Sequence, residues 1–160
     1  LEYLINKANT FDFWLASDEC YSEIYRNTPP PGLLEVCAQM GHRDYSQCLV
    51  FHSLSKRSNI PGLRSGFVAG DASFIAPFLK YRTYHGCSMS MAVQKASELA
   101  WSDEDHVIVN RDLYAEKFQA AADILGEQLD SHDPGAGFYL WAKTPTGCDT
   151  FSRDLYAATG

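Results

Sequence analysis

The residues best suited to covalent chemistry lie in one stretch, which reads SLSKRSNIPGLRSG from Ser53 to Gly66. Apolar runs precede and follow it, which predicts a strand, a loop and a second strand. At the end of a buried strand the Lys56 amine would be partly desolvated, which lowers its pKa and makes it a better nucleophile toward an aldehyde. The Arg64 guanidinium and the hydroxyls of Ser53 and Ser55 suit a phosphate group. A nucleophilic amine for the aldehyde and a binding site for the phosphate are the two features that pyridoxal 5′-phosphate requires. The alternative is a solvated basic loop, because charged residues are usually exposed.

Asp18 and Tyr21 form a second candidate group, about one strand–helix–strand unit before the lysine. They follow the apolar run Phe13–Ala16, which predicts a short buried strand, and ligands of open α/β sheets bind beyond the carboxyl ends of strands. The Asp18 carboxylate would keep a pyridine nitrogen protonated, and a protonated ring is the electron sink that this cofactor provides. Tyr21 would donate a hydrogen bond to the phenolic oxygen of the ring. The alternative is a helix cap followed by a half-buried tyrosine.

Composition favours an ordinary globular domain with a real core, since the 160 residues are 46% hydrophobic and 21% charged. The net charge of −7 is uneven. Residues 1–80 carry 7 basic and 8 acidic side chains, whereas residues 81–160 carry 6 and 12. Because neither half has a basic stripe, nucleic acid is not expected as a partner.

The cysteines predict reduced thiols in a cytoplasmic protein. Their number is odd, their spacing is wide and no C-x-x-C motif occurs, so we expect neither a disulfide framework nor a zinc or other metal site. The five are Cys20, Cys37, Cys48, Cys87 and Cys148. No apolar run approaches the length of a membrane span, and no signal peptide is visible, so no membrane partner is expected.

Hydrophobic periodicity predicts an alternation of helices and strands, hence an α/β fold with a helix-covered sheet. Helices are expected over residues 1–9, 33–40, 72–82, 91–101, 102–129 and 149–158, and strands over 13–16, 48–54, 66–70 and 138–142. Residues 81–90 are expected to be irregular. We expect Glu19 and Glu23 to be solvated, and His52 to be packed or hydrogen-bonded in the core without a catalytic role.

The lysine stretch resembles the cofactor-binding motif of the class I/II aminotransferases, the fold type I pyridoxal-phosphate enzymes. In that family the lysine of Ser-Leu-Ser-Lys carries the cofactor, and the serines before it and the arginine of Pro-Gly-x-Arg-x-Gly bind its phosphate. The resemblance therefore gives Lys56 the catalytic role and assigns Ser53, Ser55 and Arg64 to the phosphate. Asp18 and Tyr21 match the family's ring-binding aspartate and tyrosine. One departure is Ser65, where the family often has an aliphatic residue.

The resemblance extends over the whole chain and implies its domain organisation. Residues 1–102 would be the C-terminal part of the cofactor-binding large domain, a mostly parallel sheet flanked by helices. Residues 103–130 would form a long linking helix. Residues 131–160 would begin the small α+β domain, since Gly137 to Trp141 resembles its opening strand. The full-length protein is expected to be a homodimer.

Within the family, these motifs most resemble the bacterial enzymes that transaminate N-succinyl-diaminopimelate in lysine biosynthesis, with glutamate as amino donor and 2-oxoglutarate as its 2-oxo acid product. Other possibilities are an aspartate, alanine or methionine aminotransferase, a carbon–sulfur lyase, or an inactive cofactor-binding or regulatory module. The family's substrate-binding arginine and its earlier phosphate loop find no match in these 160 residues. We therefore expect a fragment that is inactive by itself, with an unpaired sheet edge.

Overall fold

The computed structural model describes residues 1–86, 88–126, 129–132 and 134–160, which form seven helices and five strands in that part of the chain. In chain order these are α1 Glu2–Phe11, β1 Leu15–Asp18, α2 Leu33–Gln39, β2 Cys48–Ser53, α3 Leu54–Arg57, β3 Gly66–Gly70, α4 Ala72–His85, α5 Met91–Ser102, α6 Asp105–Leu125, β4 Asp130–His132, β5 Trp141–Lys143 and α7 Cys148–Thr159. A 3-10 turn, Pro61–Leu63, lies between α3 and β3. The order agrees with the α/β fold that the sequence predicts.

The main sheet has the order β1-β2-β3, with β2 in the centre. β1 runs parallel to β2, and Asp18 lies opposite Phe51. β3 runs antiparallel to β2, and Gly66 lies opposite Ser53. A second pair, β4 and β5, is antiparallel. The parallel pairing brings the carboxyl end of β1 to the same edge as the carboxyl end of β2, where α3 begins.

Glycines at both ends of β3 permit its close approach to β2. A Cβ atom on Gly66 would lie 2.4 Å from the carbonyl oxygen of His52, and one on Gly70 would lie 2.0 Å from that of Cys48. Gly70 also has φ of +141°, a conformation that side chains other than glycine rarely adopt. The glycines in this part of the motif therefore serve strand pairing.

The principal core lies between the sheet and the first two helices. It contains Ile5 of α1, Leu33, Val36 and Cys37 of α2, and Cys48 and Val50 of β2, all buried. Phe13 and Trp14, which precede β1, are 41% and 47% exposed. The prediction of a buried strand at residues 13–16 is therefore wrong in both position and burial, since β1 begins two residues later and its residues are half-buried or exposed.

Other boundaries also differ from the sequence prediction. Residues 81–85 continue α4, whereas an irregular segment was expected there, and Cys87 lies outside the described residues. Ser102 is the last residue of α5 and not the first residue of α6, whose N-cap is Glu104. α6 ends at Leu125, before the predicted residue 129; residues 127 and 128 lie outside the described part. The strand expected at 138–142 is confined to Trp141–Lys143.

Several local predictions are confirmed. Asp71 caps α4 by accepting a hydrogen bond from the Ser73 amide at 2.7 Å. The helices predicted at 1–9, 33–40 and 149–158 are present with shifts of one or two residues. Among the described residues, no helix is both long and apolar enough to cross a membrane. The proposed division into large domain, linking helix and small domain remains a prediction.

Candidate active site

Asp18 ends β1 with an ionised carboxylate. Its Oδ1 accepts a hydrogen bond from the Cys20 amide at 3.1 Å. Hydrogen bonds from the thiol and the amide of Cys20 lower the pKa of Asp18 below its ordinary value, despite partial desolvation. The residue is exposed at the edge of the sheet. An exposed carboxylate that stays ionised can pair with a cationic ring nitrogen, as predicted for this position.

Tyr21 lies against the aromatic segment that follows Gly137. Its ring centroid is 4.9 Å from that of Phe138 and 6.0 Å from that of Tyr139. A hydrogen bond with the Tyr139 hydroxyl and, secondarily, burial raise the pKa of Tyr21 to about 12. The phenol is therefore protonated at neutral pH, and its single O–H can donate either to Tyr139 or to a ligand oxygen.

Lys56 lies on α3, a single helical turn that directly follows β2. The loop predicted between the two strands therefore begins with a helical turn. The side chain is half-buried, and its Nζ lies 4.6 Å from the centroid of the Phe138 ring. The same ring contacts Tyr21. Phe138 thus brings the lysine and the tyrosine together, although the two residues come from different strand ends.

Cys20 is a further neighbour of this group. Burial, followed by a hydrogen bond to Asp18, raises the pKa of the Cys20 thiol to about 11, and the charge of Lys56 acts in the opposite direction. A protonated thiol donates, and Sγ lies 3.9 Å from the carbonyl oxygen of Phe51. Asp18, Tyr21 and Lys56 therefore converge around one thiol and one aromatic ring.

Ser53 and Ser55 place two hydroxyls side by side at the start of α3. Ser53 Oγ donates to Ser55 Oγ at 2.8 Å and accepts from the Ser55 amide at 3.0 Å. It also lies 3.2 Å from the carbonyl oxygen of Ser65. This arrangement fixes the Ser53 rotamer and holds the end of β2 against the start of β3. Because Ser55 accepts from Ser53, its own O–H can donate to a phosphate oxygen.

Arg64 is less closely joined to the other predicted residues. It is exposed, has a left-handed φ of 52° and donates from Nη1 to the Pro61 carbonyl at 2.9 Å. Its backbone is near the hydroxyl pair, because the next residue, Ser65, accepts from both Ser53 and the Leu54 amide (3.1 Å). A guanidinium has five N–H donors, so the bond to Pro61 leaves capacity for an anion.

Ser65, the departure from the family pattern, has a structural role. It is 4% exposed, and its Oγ accepts a hydrogen bond from Ser97 Oγ at 2.8 Å. Ser97, on α5, is also buried. A buried hydroxyl requires such a partner. The serine therefore links the cofactor-motif loop to α5.

Two buried side chains join α3 to the helices that follow it, Asn110 from α6 and Arg57 from α3 itself, and neither contact was predicted from the sequence. Asn110 of α6 donates from Nδ2 to the carbonyl oxygens of Lys56 (3.0 Å) and Arg57 (3.4 Å). The Arg57 guanidinium, 7% exposed, donates to the Ala100 carbonyl at 2.7 Å and forms an ion pair with Glu104. These bonds hold the turn that carries the lysine. A polar residue within an apolar helical face was the available signal for Asn110.

The two glutamates beside Asp18 are not simply solvated, contrary to expectation. The Glu19 side chain, 13% exposed, accepts from the Leu33 amide at 2.8 Å and lies 3.1 Å from Nε2 of His52. Glu23 forms an ion pair with Arg111 of α6 at 2.9 Å. His52 also stacks on Phe67 with centroids 5.0 Å apart, which matches its predicted packing role. The pairing partners are distant in sequence, so local pattern did not reveal them.

A cavity of about 360 Å³ adjoins these residues. It is lined by Asp18, Tyr21, Pro31, Gly137 and Tyr139, among others. Lys56 and the two hydroxyls are outside this lining. Phe138 contacts both Tyr21, which lines the cavity, and Lys56, which does not. Phe138 and Tyr139 were expected only as parts of a strand; their closeness to the site is a second feature that the sequence analysis missed.

The chemistry of this donor set fits pyridoxal 5′-phosphate. A stably ionised carboxylate, a protonated phenol, a primary amine and a pair of hydroxyls match the ring nitrogen, phenolic oxygen, aldehyde and phosphate of that molecule. The lysine and the hydroxyls are adjacent on α3, and Asp18 lies on the neighbouring parallel strand. The residues present could therefore hold this cofactor.

Comparisons with known proteins identify one family. The model of the family described as aminotransferase class I and II matches residues 1–159. A probable aminotransferase of Mycobacterium tuberculosis is 35% identical over 84% of this chain and 32% of its own length. An LL-diaminopimelate aminotransferase of Aquifex aeolicus is 34% identical over 90% of this chain and 37% of its own. The crystal structure of an aminotransferase from Neisseria meningitidis has 52% identity and a TM-score of 0.90 over 97% of this chain and 40% of that one. The chain thus spans 32% to 40% of the length of these relatives.

Proposed function

Because the chain belongs to the class I and II aminotransferases, we propose that the protein containing it is a transaminase that transfers an amino group between an amino acid and a 2-oxo acid. The family depends on pyridoxal 5′-phosphate, in agreement with the sequence analysis. The observation that carries the proposal is the convergence of Lys56, Tyr21 and Asp18 around Phe138 and Cys20, beside the hydroxyls of α3.

The proposed roles are those that the family resemblance implies, and the chemistry of each side chain supports them. When bound, the cofactor supplies an electron sink for the charge left at the substrate Cα. Asp18 would bind the ring nitrogen, and Tyr21 would donate to the phenolic oxygen. Ser53, Ser55 and Arg64 would bind the phosphate. Lys56 would hold the cofactor through Nζ and, once released by substrate, would accept the proton from the substrate Cα.

Labelling of the lysine tests the cofactor proposal. The complete natural polypeptide that contains this chain is incubated with pyridoxal 5′-phosphate, reduced with borohydride and mapped by peptide mass spectrometry. We expect label on Lys56, and none above background on Lys95, an exposed helical lysine that serves as matched control. Equal label on the two lysines, or label on neither, would contradict the assignment. The Lys56→Ala variant should lose turnover by several orders of magnitude.

The proposed substrate is N-succinyl-diaminopimelate, with glutamate and 2-oxoglutarate as the second pair. Support comes from the motif resemblance and from relatives named LL-diaminopimelate aminotransferase at 32% to 34% identity. We expect kcat/KM for N-succinyl-diaminopimelate to exceed that for LL-diaminopimelate and aspartate. The reverse order would reject this substrate and leave transamination standing. Release of pyruvate and ammonia without a 2-oxo acid acceptor would instead identify a carbon–sulfur lyase.

We also propose that the complete polypeptide is a homodimer. The basis is the family resemblance, in which each subunit helps to complete its neighbour's site. Analytical ultracentrifugation should give twice the subunit mass at micromolar concentration. A monomer that turns over substrate would exclude this arrangement.

A further inference from the structure

A chain of hydrogen bonds at the C-terminal end of α3 joins a hydroxyl, an imidazole and a carboxylate. Ser58 follows α3 as its C-cap, and its Oγ lies 2.8 Å from Nε2 of His106. Nδ1 of His106 lies 2.6 Å from Oδ2 of Asp103. These are the contacts between nucleophile and base, and between base and orienting group, that define a catalytic triad. The transaminase roles proposed above use none of these residues.

The carboxylate fixes the tautomer that such a triad needs. Hydrogen bonds, first from His106 and then from the Asp105 amide at 3.0 Å, lower the pKa of Asp103 below its ordinary value. An ionised Asp103 accepts the Nδ1–H of the imidazole. Nε2 of the neutral ring then carries a lone pair and accepts the Ser58 O–H. Asp103 lies between α5 and α6, and His106 in the first turn of α6, so two helix ends hold the pair.

The same three residues open into a cavity of about 570 Å³. Its remaining wall is largely apolar and includes Ile60, Leu99 and Ala100. A reactive hydroxyl beside an apolar wall suits an uncharged acyl group. This cavity is distinct in its lining from the one beside Asp18 and Tyr21. It lies at the opposite end of α3 from the paired hydroxyls.

We propose that Ser58, His106 and Asp103 form a second reactive centre that hydrolyses small uncharged carboxylic esters. Ser58 Oγ attacks the ester carbonyl carbon while its proton moves to Nε2 of His106. His106 then protonates the departing alcohol, which leaves an acyl group on Ser58. Water, deprotonated by the same nitrogen, attacks the acyl carbon and releases the carboxylic acid. Ser58 recovers its proton, so one ester and one water yield one acid and one alcohol.

A purely structural role would use the same hydrogen bonds to fasten α3 to α6. The two roles differ in the reactivity of the hydroxyl. An ordinary serine hydroxyl is a weak nucleophile, whereas one that is activated by a neighbouring base reacts with phosphofluoridates. In that reaction Ser58 Oγ bonds to phosphorus, fluoride leaves and the proton passes to His106.

The test treats the complete natural polypeptide with diisopropyl fluorophosphate and maps the modified peptides by mass spectrometry. Ser58 should be modified, and 4-nitrophenyl acetate should be hydrolysed with loss of that activity after modification. The control is Ser102, which lines the same cavity but donates to the Glu98 carbonyl at 2.9 Å. Ser102→Ala should leave the rate of Ser58 modification unchanged.

Two variants test whether Ser58 reacts because His106 activates its hydroxyl or only because that hydroxyl is accessible to the reagent. His106→Ala should slow modification of Ser58 by about 100-fold or more, since it removes the general base. Asp103→Asn keeps the size of the side chain and should slow it by about tenfold or more. Circular dichroism checks that each variant is folded. If His106→Ala does not fold, the rate of Ser58 modification in Asp103→Asn is the test. Absence of label on Ser58, or an unchanged rate in a folded variant, would overturn the proposal and leave a structural link between helices.

Discussion

Replacement of Asn110 by Ala should make α3, the helical turn that carries Lys56, open more often. Asn110 is 9% exposed and reaches from α6 to the carbonyl oxygens of Lys56 and Arg57. Those two carbonyls close the C-terminal end of α3, which has only four residues and so depends on partners outside itself. The alanine side chain offers no donor.

The expected cost follows from the two bonds. The 3.0 Å bond to Lys56 is worth about 1 kcal/mol net, and the 3.4 Å bond to Arg57 contributes less. Arg57 is 6% exposed, so water cannot readily take the place of the Asn110 amide as donor to its carbonyl oxygen. The unpaired carbonyl therefore adds a desolvation cost. The sum is about 2 kcal/mol. Because each 1.4 kcal/mol is tenfold, local opening of α3 should become about 30-fold more frequent.

Hydrogen–deuterium exchange measures this opening directly. The relevant amides include Ser58 and Ile60, both of which donate to the Leu54 carbonyl. Their exchange should accelerate by about 30-fold in the variant, while peptides from α1 exchange as before. Asn9→Ala makes the same substitution on the exposed surface of α1 and should leave α3 unchanged. An unchanged exchange rate at α3 in Asn110→Ala would refute the view that this side chain holds the lysine turn.

Three further outcomes are expected. Asp71→Ala should destabilise the protein by about 1 kcal/mol at neutral pH through loss of a helix cap. Hydrogen bonds from Ser73 and Gln47 lower the pKa of Asp71 below 3.8, so its stabilisation is present above that pH and is lost as the pH falls below it. The difference between Asp71→Ala and wild type in urea unfolding should therefore shrink in acid, and a constant difference would count against this linkage. Burial raises the pKa of the Cys48 thiol to about 12. Iodoacetamide should therefore alkylate the exposed Cys148 far faster than the buried Cys48, which should react only when the protein unfolds. Equal alkylation rates of the two thiols in the folded protein would contradict the burial of Cys48. Phe138→Leu should increase acylation of Lys56 severalfold by removing the ring 4.6 Å from its amine, and an unchanged rate would show that the ring does not cover the lysine.

Local sequence signals predicted the family, the lysine motif and most helices, because these depend on neighbouring residues. The spacing of apolar residues is sufficient for α1, α2 and α7, and Asp71 marks the start of α4 through a contact only two residues away. The relation of Ser53 to Ser55 is equally local, since the cap of a helical turn involves adjacent residues.

An apolar run is not necessarily a buried strand, because its burial depends on what packs against it in the tertiary structure. Phe13 and Trp14 look like a buried strand but lie outside β1 and are exposed at an outer strand of the sheet. Phe138 and Tyr139 have the composition of a strand, yet their rings contact Tyr21 and so lie at the candidate site. The burial of an aromatic side chain depends on what reaches it from elsewhere in the chain.

The sequence by itself determined which residues carry functional groups suited to the proposed chemistry, because a lysine, an aspartate and a pair of serines carry these groups wherever they are placed. Only the tertiary structure decided what surrounds those groups. Asn110 contacts Lys56 across more than fifty residues of chain, and His106 reaches Ser58 over a similar distance. Such contacts arise from the packing of α6 against α3, and hydrogen bonds between residues far apart in sequence have no periodicity from which they could be predicted.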